Sequence, residues 1–138
     1  MQGSPNEQYV YIFVRQDISL PQQIVQSNHA TLSFSSHHGV EGIPNIVLIG
    51  VPNVAALKEA CALLSANQIP HWSWTEPDFN LGFTAICTAA ISGSERICLA
   101  HYRTWKPVFP SSANCKLAVS NTAHAGAGPA EGTNAAVA

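Results

Sequence analysis

Hydrophobic residues along this chain form short continuous runs, separated by longer segments in which apolar and polar residues alternate with helical spacing. The runs at 9–14, 46–50 and 82–89 are rich in β-branched and aromatic residues, as in strands that are covered on both faces. A shorter strand is predicted at 71–75. The pattern therefore predicts four strands.

Two helices and a short closing helix fill the gaps between these strands. The first helix should begin after Ser19, whose hydroxyl can cap it, and end at Gly39, which supplies a left-handed exit. The second should run over 54–67 behind the cap Asn53, because apolar residues there recur at i, i+3, i+4 and i+7. A short helix is predicted over 92–102.

The order β-α-β-α-β-β-α predicts an α/β fold, a mixed four-stranded sheet with helices on both faces. A ferredoxin-like domain needs β-α-β-β-α-β and is the least favoured alternative. Trp72 and Trp74 flank Ser73 and should project from the same face of their strand. A core, an edge or a dimer interface would each accommodate them.

By length, 138 residues make one domain. We expect that domain to span residues 8–106, after a flexible N-terminus of residues 1–7. From 107 to 138 the chain is mostly Ala, Gly, Ser, Pro, Asn and Thr, which bury too little apolar surface to offset the entropy of ordering. Residues 107–138 are therefore predicted to be a disordered tail.

Charge is sparse: 10% of residues are charged and the net charge is −2. With six lysines and arginines the chain has no basic patch for strong phosphate-driven binding, although a local nucleic-acid contact stays open. No secretory signal opens the sequence and no run reaches the ~20 apolar residues that span a bilayer. We expect a cytoplasmic protein with four reduced cysteines and no membrane association.

Gln26 and His29 are the most informative polar residues, because they are three apart on the first helix, close to where the first strand ends. Open α/β folds bind ligands at such strand–helix junctions. Without context, a histidine here is better explained by packing than by chemistry. The adjacent His37 and His38 do not predict a zinc site, because neighbouring side chains near a helix end diverge.

Four short motifs follow one another at regular places between these elements. They are Val14-Arg15-Gln16-Asp17-Ile18, Gln26-Ser27-Asn28-His29-Ala30, Asn67-Gln68-Ile69-Pro70-His71 and Glu76-Pro77-Asp78. In order and spacing the chain resembles the type II peptidyl-tRNA hydrolase family, in particular its short bacterial and phage-type relatives. The resemblance covers about residues 9–106.

This resemblance implies a homodimeric α/β protein that hydrolyses the ester between a peptidyl group and the 3′ ribose of tRNA, without a metal or cofactor. Carried over by position, the expected catalytic residues are Asp17, Gln26, His29 and Glu76, with Glu76 standing where other members have an aspartate. Substrate contacts are expected from Arg15, Gln22, Asp78 and Thr84. The peptidyl-tRNA or the tRNA 3′ end would be the partner.

One departure supports a second hypothesis. The family's lysine-rich segment before the glutamine is replaced here by Ser19-Leu20-Pro21-Gln22-Gln23, which has no lysine. A lost lysine removes counter-charge for tRNA and a candidate oxyanion stabiliser. The alternative is a catalytically degenerate dimeric binding module of the same fold.

Overall fold

The computed structural model describes residues 7–108. Its strands are Tyr9–Arg15 (β1), Asn45–Val51 (β2), His71–Glu76 (β3) and Gly82–Thr88 (β4). Its helices are Leu20–His38 (α1) and Val54–Ala66 (α2), followed by a 3₁₀-helix at Gly93–Leu99. The predicted residues 1–7 and the predicted tail 107–138 lie almost entirely outside the described residues.

The four strands form one mixed sheet in the order β2-β1-β4-β3. β1 and β2 are parallel and are joined by α1, while β4 runs antiparallel to both β1 and β3. This is the predicted α/β architecture with a mixed four-stranded sheet. β1 is central and continuously buried from Val10 to Val14, as its unbroken apolar run indicates.

Both predicted helix caps are confirmed. The Ser19 hydroxyl accepts a hydrogen bond from the Gln22 backbone N–H at 3.4 Å, and Asn53 Oδ1 accepts from the Ala56 N–H at 3.0 Å. Each bond satisfies one N–H that has no partner within its helix. These caps set the starting points of α1 and α2 and therefore the direction in which their side chains face the sheet.

The helices cover opposite faces of the sheet, as predicted. On one face, Leu57, Ala60 and Leu64 of α2 pack with Phe13 and Ile86 and with the 3₁₀-helix residue Leu99. On the other face, Ala30 and Phe34 of α1 pack against Val10, Ile12, Val14, Ala85 and Cys87. The side of the sheet that α1 covers is called the α1 face below.

The α1 face has an unusual boundary, because α1 buries glutamines and exposes aliphatic residues. Gln23 and Gln26 are buried, whereas Ile24 and Leu32 keep 55% and 69% of their surface exposed. A helix that packs on one side only normally shows the reverse pattern. The buried amides must therefore find hydrogen-bond partners inside the protein.

Trp72 and Trp74 are half-buried on β3, the edge strand, and pack against the apolar cluster of the α1 face. Of the arrangements left open by the sequence, the structure shows core packing at an edge. The opposite edge strand, β2, is partly covered by the chain near the end of the domain. The backbone N–H of Trp105 there donates to the Leu48 carbonyl at 2.7 Å.

Two predicted boundaries were wrong. β3 continues to Glu76, which pairs with Gly82, although the sequence placed this residue in a loop. The closing segment forms a 3₁₀-helix that is shorter than the predicted 92–102, and a capping box between Ser92 and Glu95 stabilises its start. Within residues 7–108, no helix has the length and hydrophobicity to cross a membrane.

Candidate functional site

The side-chain amide of Gln26 is the centre of a buried hydrogen-bond network between α1, β3 and β4. Its Oε1 accepts from Trp74 Nε1 and from Thr84 Oγ1, both at 3.0 Å. Its Nε2 donates to Glu76 Oε2 and to Gln22 Oε1, also at 3.0 Å. Gln26 is 0% exposed, so it reaches these partners within the protein interior.

The partners fix the orientation of this amide. An indole N–H can only donate, so the atom that faces Trp74 must be the amide oxygen, and the NH₂ group must face Glu76. Both hydrogens and both lone pairs are then used. Gln26 therefore has no free N–H for an oxyanion, and its role in any chemistry at this site is to position Glu76.

Glu76 is the buried carboxylate of the network, with 8% of its surface exposed. Besides the Gln26 bond, its Oε1 accepts from the Asp78 backbone N–H at 3.1 Å. The hydrogen bond from Gln26 is the main reason that the pKa of Glu76 lies below its ordinary value, and the Asp78 N–H and nearby His29 act in the same direction. The group is therefore a carboxylate at neutral pH.

Thr84 reaches Gln26 because β4 contains a β-bulge. Trp74 pairs with Ala85 and Thr75 pairs with Phe83, so Thr84 has no partner in β3. Strand alternation would place Thr84 and Ala85 on opposite faces, but the extra residue turns both toward α1. Thr84 is fully buried, so the expected substrate contact is not available to it. Its hydroxyl contacts the site through the Gln26 amide and, at 3.5 Å, the Trp74 backbone carbonyl.

His29 lies beside this network with its side chain exposed. Its imidazole stacks on the Trp74 indole, with 4.9 Å between ring centroids and an interplanar angle of 6°. Gln26 and His29 therefore do share a helix face, and both contact Trp74. His29 therefore adjoins the network through Trp74, whose indole N–H donates to Gln26.

Arg15 and Asp17 form a separate ion pair at the end of β1. Nε and Nη2 of Arg15 contact the two carboxylate oxygens of Asp17 at 2.5 and 2.8 Å. The Arg15 hydrogen bond is the main cause that lowers the pKa of Asp17. Arg15 Nη1 also donates to the backbone carbonyls of Leu81 and Phe83. Asp17 thus has Arg15 as its partner and does not join the Gln26 network, while Arg15 holds the start of β4.

Gln22 and Asp78, expected to contact substrate, lie at the edge of the network. Gln22 is half-buried and accepts from Gln26, while the exposed Asp78 contributes its backbone N–H to Glu76. Of the eight expected site residues, the structure connects Gln22, Gln26, Glu76, Asp78 and Thr84 by hydrogen bonds. His29 adjoins them through Trp74, and Arg15 and Asp17 stand apart.

A second buried amide, that of Gln23, lies one turn earlier on α1 and was not predicted. Gln23 donates from Nε2 to the Ile18 carbonyl at 3.0 Å, and its Oε1 accepts from Trp105 Nε1 at 2.7 Å. Trp74 was also absent from the expected site. A signal for it existed, because residues 74 and 76 are two apart and so face the same side of a strand.

The neighbouring histidines have a packing role. His37 stacks on Trp72 with 4.2 Å between ring centroids, and His38 stacks on Phe34 with 4.5 Å. Together with His29 and Trp74 they form a row of aromatic contacts between α1 and β3. In the part of the chain described by the structure, no three His, Cys, Asp or Glu residues are grouped to hold a metal ion.

Comparisons with known proteins add information on the fold alone. No family model matches the sequence, and no curated protein matches it. Among solved structures, the chain is similar to Atu0240, a protein of unknown function from Agrobacterium tumefaciens strain C58, with a TM-score of 0.57 and 10% sequence identity. That similarity covers 72% of this chain and 98% of the other.

Chemically, the site presents an ionised carboxylate with unused acceptor capacity and, stacked on Trp74, an exposed imidazole. A carboxylate offers about four acceptor positions, and Gln26 and Asp78 fill two of those on Glu76. The remaining positions can accept hydrogen bonds from a water molecule or from a ligand. The exposed His29 ring stacks on Trp74 beside this network, and its ring nitrogens can form hydrogen bonds with a ligand.

Proposed function

We propose that this protein is a metal-independent hydrolase that cleaves the ester between a peptidyl or acyl group and the 3′ ribose of tRNA. The main support is the 3.0 Å hydrogen bond from Gln26 to Glu76, which holds an ionised carboxylate at a strand–helix junction. Motif residues far apart in sequence meet around that bond. The resemblance of those motifs to type II peptidyl-tRNA hydrolases supplies the substrate class.

In the proposed reaction, Glu76 accepts a hydrogen bond from the attacking water and orients it toward the ester carbonyl. His29 donates to the oxyanion that develops, since both N–H groups of Gln26 are already used. Glu76 takes one proton from the water as it adds to the carbonyl carbon, and returns that proton to the ribose oxygen as the carbon–oxygen bond breaks. The products are the free acid and tRNA with a 3′ terminal diol.

The test is release of the acyl group from an N-blocked aminoacyl-tRNA by the purified full-length chain at micromolar concentration. Glu76→Gln should lower the rate by about 10²–10⁴-fold, the usual contribution of a general base. His29→Ala should lower it by about 10²-fold or more. Glu59→Gln, an exposed change on α2 at the opposite face of the sheet, is the matched control and should retain full activity.

A second function is favoured by one specific observation. The Gln26 amide is saturated, and no lysine or arginine occurs between Arg15 and Lys58, so neither the Gln26 amide nor a lysine or arginine of α1 can stabilise the oxyanion. These facts suit a dimeric binding module without activity. Such a module would release no acyl group from the blocked aminoacyl-tRNA but would still bind deacylated tRNA in a filter or fluorescence titration. Absence of both signals would exclude the two proposals together.

A further inference from the structure

The loop between β3 and β4 contains a turn that its sequence does not favour. Phe79 and Asn80, the central residues of this turn, both have positive φ, at 57° and 54°. The Leu81 N–H donates to the Asp78 carbonyl at 3.3 Å and closes the turn. Hairpin turns with two left-handed residues strongly prefer Asn, Asp and Gly there, because a bulky side chain is strained in this conformation. Asn80 suits its position, whereas Phe79 does not.

The Phe79 ring does not stabilise the fold by burial either. It keeps 77% of its surface exposed, and among the phenylalanines, tyrosines and tryptophans of residues 7–108 it alone is exposed. Neither turn chemistry nor packing therefore explains an aromatic residue at this strained position. Residues that break a local rule without a structural gain are concentrated at functional sites. Phe79 is accordingly a candidate for contact with a ligand.

Hydrogen bonds anchor both ends of this turn close to Glu76. The Asp78 N–H donates to Glu76 Oε1 at 3.1 Å, and Arg15 Nη1 donates to the Leu81 carbonyl at 2.9 Å. Phe79 is three residues after Glu76, so their Cα atoms lie within about 11 Å of each other. A ligand whose reacting group is at Glu76 therefore needs to extend only a short way to reach the Phe79 ring.

The charges around the turn favour base stacking over phosphate binding. Residues 76–82 contain no lysine or arginine, and neither does α1. Arg15, which contacts the loop, has its charge paired with Asp17. These elements therefore offer no free cation to a phosphate group. A nucleotide at this edge of the site needs another kind of contact, and any base can stack on an exposed aromatic ring.

We propose that Phe79 is the stacking platform for the adenine of the 3′-terminal nucleotide of tRNA. This inference rests on the proposed function, because that adenine and the ester are attached to the same ribose, which places the base beside the group that reacts at Glu76. The anchored turn presents the ring to solvent before the ligand arrives, which lowers the ordering cost of binding. Phe79 touches the base and not the reacting atoms, so it strengthens substrate binding and leaves the chemical step unchanged.

Fluorescence titration of the full-length chain with the RNA trinucleotide CCA, carrying 2-aminopurine as its 3′-terminal base, tests the platform without hydrolysis. Stacking on the wild type should quench the fluorescence. Phe79→Gly and Phe79→Leu should each weaken binding by about 5–150-fold, because both remove the aromatic face, whereas Phe79→Trp should retain binding. Ile43→Gly is the matched control and should bind like the wild type. Ile43 is 97% exposed in the loop before β2, at the other end of the sheet.

The melting temperature of Phe79→Gly separates a binding role from a structural one. Glycine adopts the positive φ of residue 79 without strain, so this variant should melt no lower than the wild type. Loss of binding in a protein of unchanged stability then comes from the missing ring. A marked fall in the melting temperature would show that the ring stabilises the turn, and would overturn the argument for a functional role.

Acyl release from the blocked aminoacyl-tRNA distinguishes failure of the platform from failure of the proposed function. Phe79→Gly should raise KM by the factor seen in the titration and leave kcat near the wild-type value. If the wild type releases no acyl group but its quenching depends on Phe79, the hydrolase is wrong and the platform stands. If the wild type is active but Phe79→Gly changes neither KM nor quenching, the platform is wrong. Wild-type protein that does not quench, or Phe79→Leu that quenches equally well, also overturns it.

Discussion

Trp74 and Gln26 are joined by an indole N–H that donates to the amide oxygen at 3.0 Å, and this bond determines which way the amide points. The amide nitrogen consequently faces Glu76, and the carboxylate is held ionised in a nearly closed environment. A tryptophan on an edge strand thus controls the electrostatics of a glutamate two residues further along the same strand.

Replacing Gln26 by leucine should destabilise the protein by about 1–3 kcal/mol, because buried polar atoms of its partners lose their hydrogen bonds. Denaturant unfolding of the two proteins gives the difference in free energy. Gln22→Ala is the control on the same helix, since it removes one partly buried acceptor and should cost less. Equal losses for the two variants would contradict a central role for Gln26.

Thr84→Val should cost about 1 kcal/mol, because valine keeps the shape of the side chain but cannot donate to Gln26. Thr84→Ser keeps the hydroxyl and therefore the hydrogen bond to Gln26, so its loss of stability should come from the missing methyl group alone. Both are measured by thermal unfolding. If valine proves as stable as threonine, the hydrogen bond from Thr84 does not stabilise the network.

Acid should remove the contribution of Glu76 to stability. Its pKa in the folded protein lies below the ordinary 4.5, so that contribution is complete above about pH 5 and is lost as the pH falls through the lower folded value. The difference in melting temperature between wild type and Glu76→Gln should therefore be constant near neutral pH. In acid, the melting temperature of the wild type should fall relative to that of the variant. The Asp17 carboxylate titrates in both proteins, so its effect cancels. A difference that does not vary with pH would contradict this assignment.

Cys87 should resist alkylation in the folded protein. It is 1% exposed, and burial raises the pKa of its thiol to about 12, so almost no thiolate forms at mildly alkaline pH. Iodoacetamide labelling followed by peptide mass analysis should modify the partly exposed Cys61 and Cys98 first. Rapid labelling of Cys87 without unfolding would show that the α1 face opens locally.

Much of the fold could be predicted from the sequence because local signals agreed with one another. Ser19 and Asn53 have capping side chains, and the first strand is an unbroken apolar run, so the helix starts and the central strand were recognisable. It was not recognisable that Gln26 points toward the sheet, because a polar residue at a buried helical position looks like a surface residue until its partners are known.

The remaining errors depend on contacts between distant residues. The end of β3 was placed one residue short, because Glu76 is polar and precedes a proline, yet its burial depends on Gln26, fifty positions away. The bond between Gln23 and Trp105 spans 82 positions and has no local pattern. The inward turn of Thr84 depends on the pairing register with β3, which no short sequence window contains.

The bulge at Thr84 also bears on how such a site can arise. Without Thr84, Phe83 and Ala85 would be neighbours with side chains on opposite faces, and β4 would alternate regularly throughout. The sheet itself gives no reason for the extra residue, whereas the hydrogen bond to Gln26 does. One unpaired residue in β4 therefore supplies a buried donor to this network, while the strand keeps its pairing with β3 on both sides of the bulge.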